Sequence, residues 1–343
     1  MKRVSVRPLP YCDLRWDSPA WDFRAQRLLM RRFLSILVLA ATALLPGCTK
    51  REPRFARVDA ALAPLLPGDT VALACLRLDR LKDTPFYKKY IAGGRIKALD
   101  EFALKTGLDP RESVWELVFS TNGRTPYLFI RGKFGGEFGF EPDFKTPGLQ
   151  RQSYKGRYLL YSGDSGVLFM NTGAAVAGKV ADLKALVDGF DDAKRPAPQA
   201  LLDVVATLPG TSHIWAVSLR PASLAHSGEA PESSGGMAGN LMRAGSRVSQ
   251  VKMWADISQG LDMHVEAVAA SPNDAAELRD TFKAAVGMGR LGAQNSQPDM
   301  LSLYDGLSSS SDGSIVRIEV KEPFDVLDTF LDKLSLTGAT PKK

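Results

Sequence analysis

Residues 66–78 read LPGDTVALACLRL, and residues 208–220 read LPGTSHIWAVSLR. Each stretch has the form of a helix end, a Pro/Gly turn and an apolar run suited to a buried strand. A second correspondence follows in the same order. Val114 to Ser120 and Tyr127 to Phe134 flank Asn122-Gly123, while Val251 to Ile257 and Leu261 to Ala269 flank Gln259-Gly260, and each pair reads as a hairpin. Between first strand and hairpin both regions carry helical material, Phe86 to Thr106 ending at Gly107 in one and Met237 to Val248 in the other. Landmarks repeated in one order predict two diverged copies of a single supersecondary unit.

The second copy predicts strand 212–220, helix 237–248, strands 250–257 and 261–270, helix 273–287 and strand 314–320. Ser271-Pro272-Asn273-Asp274 suits the start of the later helix, because Ser or Asn can cap it and Pro fits its first turn. This order resembles the ferredoxin-like split βαβ unit, in which helices cover one face of an antiparallel sheet. The expected fold is therefore α+β, with two tandem ferredoxin-like units over residues 65–207 and 208–336. Phe324, Leu327, Phe330, Leu331 and Leu334 share one face of a closing helix that should dock on the sheet. The first copy should hold extra strands around Tyr154, Tyr158 to Tyr161 and Val167 to Met170, then a helix over Ala174 to Val187. Pro196-Ala197-Pro198 marks a break before a helix over Gln199 to Thr207. Ser227 to Gly236 and Ser308 to Gly313 read as loops, and 337–343 as a disordered tail.

Ahead of the repeat, Met30 to Lys50 read MRRFLSILVLAATALLPGCTK. Arg31 and Arg32 supply a basic start, and Phe33 to Leu45 form an apolar run of secretory length, short of the roughly 20 residues that span a bilayer. Leu45-Pro46-Gly47-Cys48 resembles the lipobox of bacterial lipoproteins. The resemblance implies signal-peptidase recognition at Leu45, Pro46 and Gly47, lipidation of Cys48, and a membrane partner held through acyl chains; two or more chains make a durable anchor. Residues 30–47 would then be a signal peptide and 48–64 a tether, whose Lys50, Arg51, Arg54 and Arg57 could meet anionic headgroups. Met1 to Leu29, with Trp16, Trp21, Pro8, Pro10 and Pro19, fits neither a helix nor a signal start, which suggests translation from Met30. Thr49 after the cysteine favours the outer over the inner membrane in a diderm, again by resemblance.

The formal charge of +6 belongs mostly to the leader: residues 1–47 hold eight Lys/Arg and three Asp/Glu, leaving 36 against 35 beyond them. No basic cluster interleaved with aromatics remains, so nucleic acid is not an expected partner. Of three cysteines, Cys12 precedes the signal, Cys48 would carry lipid, and Cys75 lies in a strand-like run, where it reads as a small buried hydrophobe.

Little points to a reaction. His213, His226 and His264 do not form a metal-spaced pair, and His264 with Glu266 shares a strand face without further ligands. Gly163-Asp164-Ser165-Gly166 is one residue short of a nucleophile elbow and reads as a turn. Gly93-Gly94, Gly135-Gly136 and Gly287 to Gly292 lack the ending of a phosphate loop. Asp191-Asp192 lies in a polar linker. Trp115, Trp215 and Trp254, on predicted strands, read as core more readily than as a binding face. No catalytic, cofactor or metal residue is assigned. The Leu66-Pro67-Gly68-Asp69-Thr70 start is similar to that of uncharacterised bacterial envelope proteins, a resemblance that implies no activity. The expectation is a membrane-anchored envelope lipoprotein facing the periplasm, acting as a non-enzymatic scaffold or binding module for an envelope protein or lipid. The alternative is a lipid or small-molecule binder with a pocket between the two units.

Overall fold

The computed structural model describes residues 54–92, 99–100, 103, 109–135, 148–190, 198–222, 246–296 and 301–336. Glu52–Lys343 forms a compact unit of its own. Twelve strands build one sheet: β1 Ala72–Arg77, β2 Val114–Thr121, β3 Pro126–Gly132, β4 Gln150–Tyr154, β5 Arg157–Ser162, β6 Ser165–Asn171, β7 Ala174–Lys179, β8 Ile214–Ser218, β9 Val248–Asp256, β10 Gly260–Ala269, β11 Leu307–Asp312 and β12 Ile315–Pro323. Their order is β11-β12-β10-β9-β8-β1-β2-β3-β7-β6-β5-β4, and the described ladders are antiparallel. Among the described helices, α1 is Val180–Asp188, α2 Gln199–Val205, α3 Pro272–Ser296, α4 Leu301–Asp305 and α5 Phe324–Leu336, and a π-turn spans Tyr87–Ala92.

The α+β class holds, with one large antiparallel sheet in place of two. β1 and β8 pair from Ala72↔Ser218 to Leu76↔Ile214, and Leu219 N–H donates to Val71 O at 2.9 Å while Arg77 N–H donates to His213 O at 2.8 Å. Outward from that junction the order runs β1-β2-β3-β7-β6 on one side and β8-β9-β10-β12-β11 on the other, with β5 and β4 added beyond β6. The two quoted turns also correspond. Pro67 O accepts from Thr70 N (3.2 Å) and Oγ1 (2.6 Å), and Pro209 O accepts from Ser212 N (3.3 Å) and Oγ (3.0 Å). With those turns superposed, Ala74 and its counterpart Ala216 face each other in the ladder.

The strand order differs from a split βαβ unit, in which the third strand lies between the first two. Here β9 lies directly beside β8, and β10 flanks β9 on its far side. A right-handed crossover would have left the first two strands parallel; the connection from β8 instead returns the chain antiparallel.

Other expectations shift for local reasons. Ala174 to Lys179, expected as helix, is a strand because β3 and β6 take its backbone groups on both sides, and the helix begins at Val180. Ser308 to Gly313, expected as a loop, is largely edge strand β11, whose serines alternate in exposure. The expected tether is packed from Ala56: Ala56, Val58 and Leu62 are buried, Ala56 N–H donates to Leu208 O, and Gly210 N–H to Arg54 O. Both hairpins form as read, with Asn122 Oδ1 accepting from Arg124 N and Thr125 N and Gly123 at φ 91°. Ser271 Oγ caps α3 by accepting from Asp274 N. Of the helix expected over 237–248, residues 246 and 247 are a turn and Val248 begins β9; its residues 237–245, the Ser227 to Gly236 loop, Pro196-Ala197 and the 337–343 tail lie outside the described residues.

The two faces of the first half differ. On one, Leu73, Cys75, Val118, Phe129, Leu159, Leu168, Val176 and Trp215 pack with Leu62, Leu66, Leu183, Leu186, Leu201 and Leu208 from segment 54–66, the Leu208 turn and helices α1 and α2. Phe129 is fully buried at the middle of this layer. Phe129→Ala should destabilise the protein by about 3–5 kcal/mol, read as a lower denaturant midpoint in equilibrium unfolding.

Candidate functional site

Strand periodicity fixes what lies on the opposite face. Residues alternate across the sheet, so Leu76, Leu117, Ile130, Ala175 and Phe169, which follow one another in register across β1, β2, β3, β7 and β6, turn away from the filled core. Val167 and Leu160 form a neighbouring row through the β5–β6 ladder. Above them lies a cavity of about 570 Å³, whose other lining includes Leu78, Tyr87, Ile91, Leu99, Val114, Phe134 and Leu149. That volume falls within the range of about 300–1,000 Å³ usual for small-molecule sites, and its wall is almost wholly aliphatic and aromatic. The lining comes from residues 76–175, so the cavity sits within the first half, against the sheet, and not between two units as expected.

One end of the cavity is closed. Tyr87, Val114 and Phe134 are buried there, Phe134 meets Phe169 edge to face at 5.5 Å, and Tyr87 Oη donates to Arg111 O at 3.1 Å. Arg111 reaches this end, but its charge is engaged: Nε and Nη2 donate to Asp109 at 2.9 Å each, and Nη1 lies 2.8 Å from Asp100. The bond to Asp109, then that to Asp100, pushes the Arg111 pKa up, and the same pairing holds the Asp109 carboxyl below its ordinary value. Burial, then Asp109, pushes Tyr87 up. The π-turn over this end is tied to α5, since Tyr90 Oη donates to Asp328 Oδ1 at 2.5 Å and Lys89 pairs with the same carboxylate. At the other end Ser162 and Ser165 line the cavity beside the exposed Gly163-Asp164 turn, where Gly163 takes φ 62°.

The sequence-predicted residues fall elsewhere. Cys48, Leu45, Pro46 and Gly47 lie outside the described residues, as do His226 and Asp191-Asp192. Cys75 is buried as expected, and burial, then Glu116, pushes its thiol pKa up, away from reactivity. Gly163-Asp164-Ser165-Gly166 is the turn it was read to be. His213 is buried, its Nδ1 accepting from Ile257 N at 3.2 Å.

His264 and Glu266 share a face, but within a ladder of charge pairs. Lys252 Nζ and Arg317 Nε lie 2.7 and 3.2 Å from Glu266, and Asp262 lies 2.9 Å from His264. Trp254 stacks on His264 at 5.1 Å. Trp215 is core, facing Trp254 in the β8–β9 ladder. Trp115 sits at a bulge opposite β3, under the Arg131 guanidinium at 5.0 Å. Among the described residues no cluster of His, Cys, Asp or Glu is placed to hold a metal ion, and none of their helices is long and apolar enough to cross a membrane.

The cavity floor was missed in the sequence although its signal was there. Both faces of β2, β3 and β6 carry large apolar residues: Val118, Phe129 and Leu168 on one, and Leu117, Ile130 and Phe169 on the other. A strand apolar on both faces must be covered twice.

No protein-family model and no curated protein matches this chain. Among solved structures it is similar to crystal forms I and III of TP0453, with TM-scores of 0.43 and 0.47, both at 9% identity, covering 79% of this chain and 96% and 97% of theirs.

Glu116, buried on the filled face between Arg77 Nε (3.5 Å) and the Asp59 N–H (3.3 Å), has its pKa raised by burial against the opposing pull of Arg77. A raised folded-state pKa favours folding while the unfolded carboxyl is still protonated, and that contribution is lost as pH rises through the folded value. The stability of wild type relative to Glu116→Gln should therefore fall as pH rises above the ordinary value of 4.5, measured by urea unfolding across pH 4–7. A flat difference would contradict this assignment.

Proposed function

We propose that this protein is a membrane-anchored envelope lipoprotein, held by acyl chains on Cys48, and that its sheet is a non-enzymatic module binding an apolar small molecule or lipid. One observation carries the binding reading: an apolar cavity of about 570 Å³ against a strand layer whose opposite face is already filled. Empty apolar space of this size forgoes dispersion contacts along its walls, a cost that a ligand reverses. A scaffold role for an envelope protein is the second reading, and the cavity favours ligand binding over it.

The anchor rests on the Arg31-Arg32 start, the apolar run to Leu45 and the Gly47-Cys48 pair. In this reading segment 54–66 serves as more than a spacer, because its buried Val58 and Leu62 deliver the anchored chain directly into the core. We also infer that the two halves are diverged copies, which the matched Pro67 and Pro209 turns, the mirrored strand order and the central Ala74–Ala216 pair support. The split βαβ form is not part of that inference.

Two measurements test the reading. Cells given a labelled fatty acid should label the wild-type protein and leave Cys48→Ala unlabelled; equal label would remove the anchor. For the cavity, an environment-sensitive apolar dye should brighten on binding Glu52–Lys343. Ala175→Phe, filling the floor where Ala175 is fully buried, should cut its affinity at least tenfold while keeping a cooperative melt. Undiminished dye binding in that variant would refute the cavity as the ligand site.

A further inference from the structure

We infer that the cavity takes the hydrocarbon part of an amphiphile whose anionic group lies at a polar row formed by Ser162, Ser165 and Lys179. This rests on the reading of the cavity as a ligand site and adds the shape and polarity of what enters it.

The shape comes from the strand registers. The lining crosses β1, β2, β3, β7, β6 and β5, five interstrand steps of about 4.8 Å, or about 24 Å across the strands. Between the ends the floor residues Leu117, Ile130, Ala175, Phe169 and Val167 offer no side-chain hydrogen-bonding group, so the middle of the ligand must be hydrocarbon.

The polarity comes from the two ends. At the closed end Arg111 is occupied by Asp109 and Asp100, which leaves it no charge to offer a ligand. At the other end Ser162 pairs with Ser165 across the β5–β6 ladder, and Ser165 pairs with Lys179 across β6–β7. Directly opposed residues project from the same face. Period two places Ser162 with Leu160, Ser165 with Val167, and Lys179 with Ala175, all on the cavity face. All three polar residues are exposed, and among the described residues Lys179 has no ion-pair partner. Two hydroxyls in the lining, with Lys179 in the adjoining register pair on the same face, suit a carboxylate or phosphate at this end, with the tail running inward. That chemistry belongs equally to a free fatty acid and to a single-chain phospholipid.

Glu52–Lys343 is titrated with a series of straight-chain fatty acids, the matching long-chain alcohol and a lysophospholipid with the same chain. Affinity for the acids should rise about fourfold per added methylene and stop rising when the chain outgrows the trough. Lys179→Glu should weaken the acid at least tenfold and leave the alcohol within twofold, a split that general misfolding would not produce. Saturable binding of the lysophospholipid with the same Lys179 dependence supports the inference with a lipid source; binding of the acid alone supports it with a free-acid source. A Lys179→Glu effect equal on acid and alcohol, or absent from both, overturns it while leaving the cavity a ligand site. Failure of every ligand and of the apolar dye overturns both.

Discussion

The structure depends on the antiparallel pairing of β1 with β8. This five-residue ladder places Ala74 against Ala216 and Cys75 against Trp215, and it pairs two strand edges that separate halves would have left open. An unpaired strand edge presents a row of unsatisfied backbone groups, so joining the halves edge to edge satisfies both at once. With the junction made, the sheet runs unbroken through twelve strands. Trp215, almost fully buried beside the junction, binds the core of the first half to the first strand of the second. The sheet ends at β4 and β11, whose sequences Gln150–Tyr154 and Leu307–Asp312 are largely polar, as edges that avoid further pairing tend to be.

A sheet this broad has two faces to cover, and the chain does so unequally. On one face of the first half, helices α1 and α2 with segment 54–66 close a packed layer that includes Leu62, Leu183 and Leu201. On the other, Phe134 with Leu160, Phe169 and Ala175, and Leu81 with Tyr87 and Ile257, form separate small clusters, with the cavity against them. In the second half α3 covers β10, β11 and β12 through Ala275 and Leu278 against Ala267 and Val316. The reverse side there carries the Lys252–Glu266–Arg317 ladder. Hydrocarbon beyond what a single layer can bury is thus concentrated in the first half, where the cavity lies.

Charges inside the structure occur where backbone or partner groups offset their desolvation. Glu116 sits among Arg77, the Asp59 amide and Cys75, and burial still raises its pKa. Glu266, less buried, is held below its ordinary value because Lys252 and Arg317 together outweigh the effect of burial. The contrast shows why the first is a local cost at neutral pH and the second a stabilising surface feature. Neither faces the cavity, whose apolar floor leaves binding energy to hydrocarbon contact and direction to its rim.

The chain's own sequence determined the elements with strong local signals. The Pro67 and Pro209 turns, the Asn122-Gly123 hairpin, the Ser271 cap and the apolar strand at Ala72–Arg77 each follow from backbone preferences within a few residues. The repeated order of turn, strand and hairpin was legible for the same reason. The lipoprotein anchor at Cys48 is an expectation that rests on residues 30–48 alone. Tertiary structure decided everything that depends on partners distant in the chain. Ala174–Lys179 became strand because β3 and β6 were on either side, Ser308–Asp312 because β12 lay beside it, and β9 took its place next to β8 through a connection whose direction no local pattern fixes. The cavity belongs to this second class. Its wall is assembled from six strands and a π-turn spread over residues 76–175, and a sequence shows which side chains are apolar but not which of them the fold leaves without a neighbour.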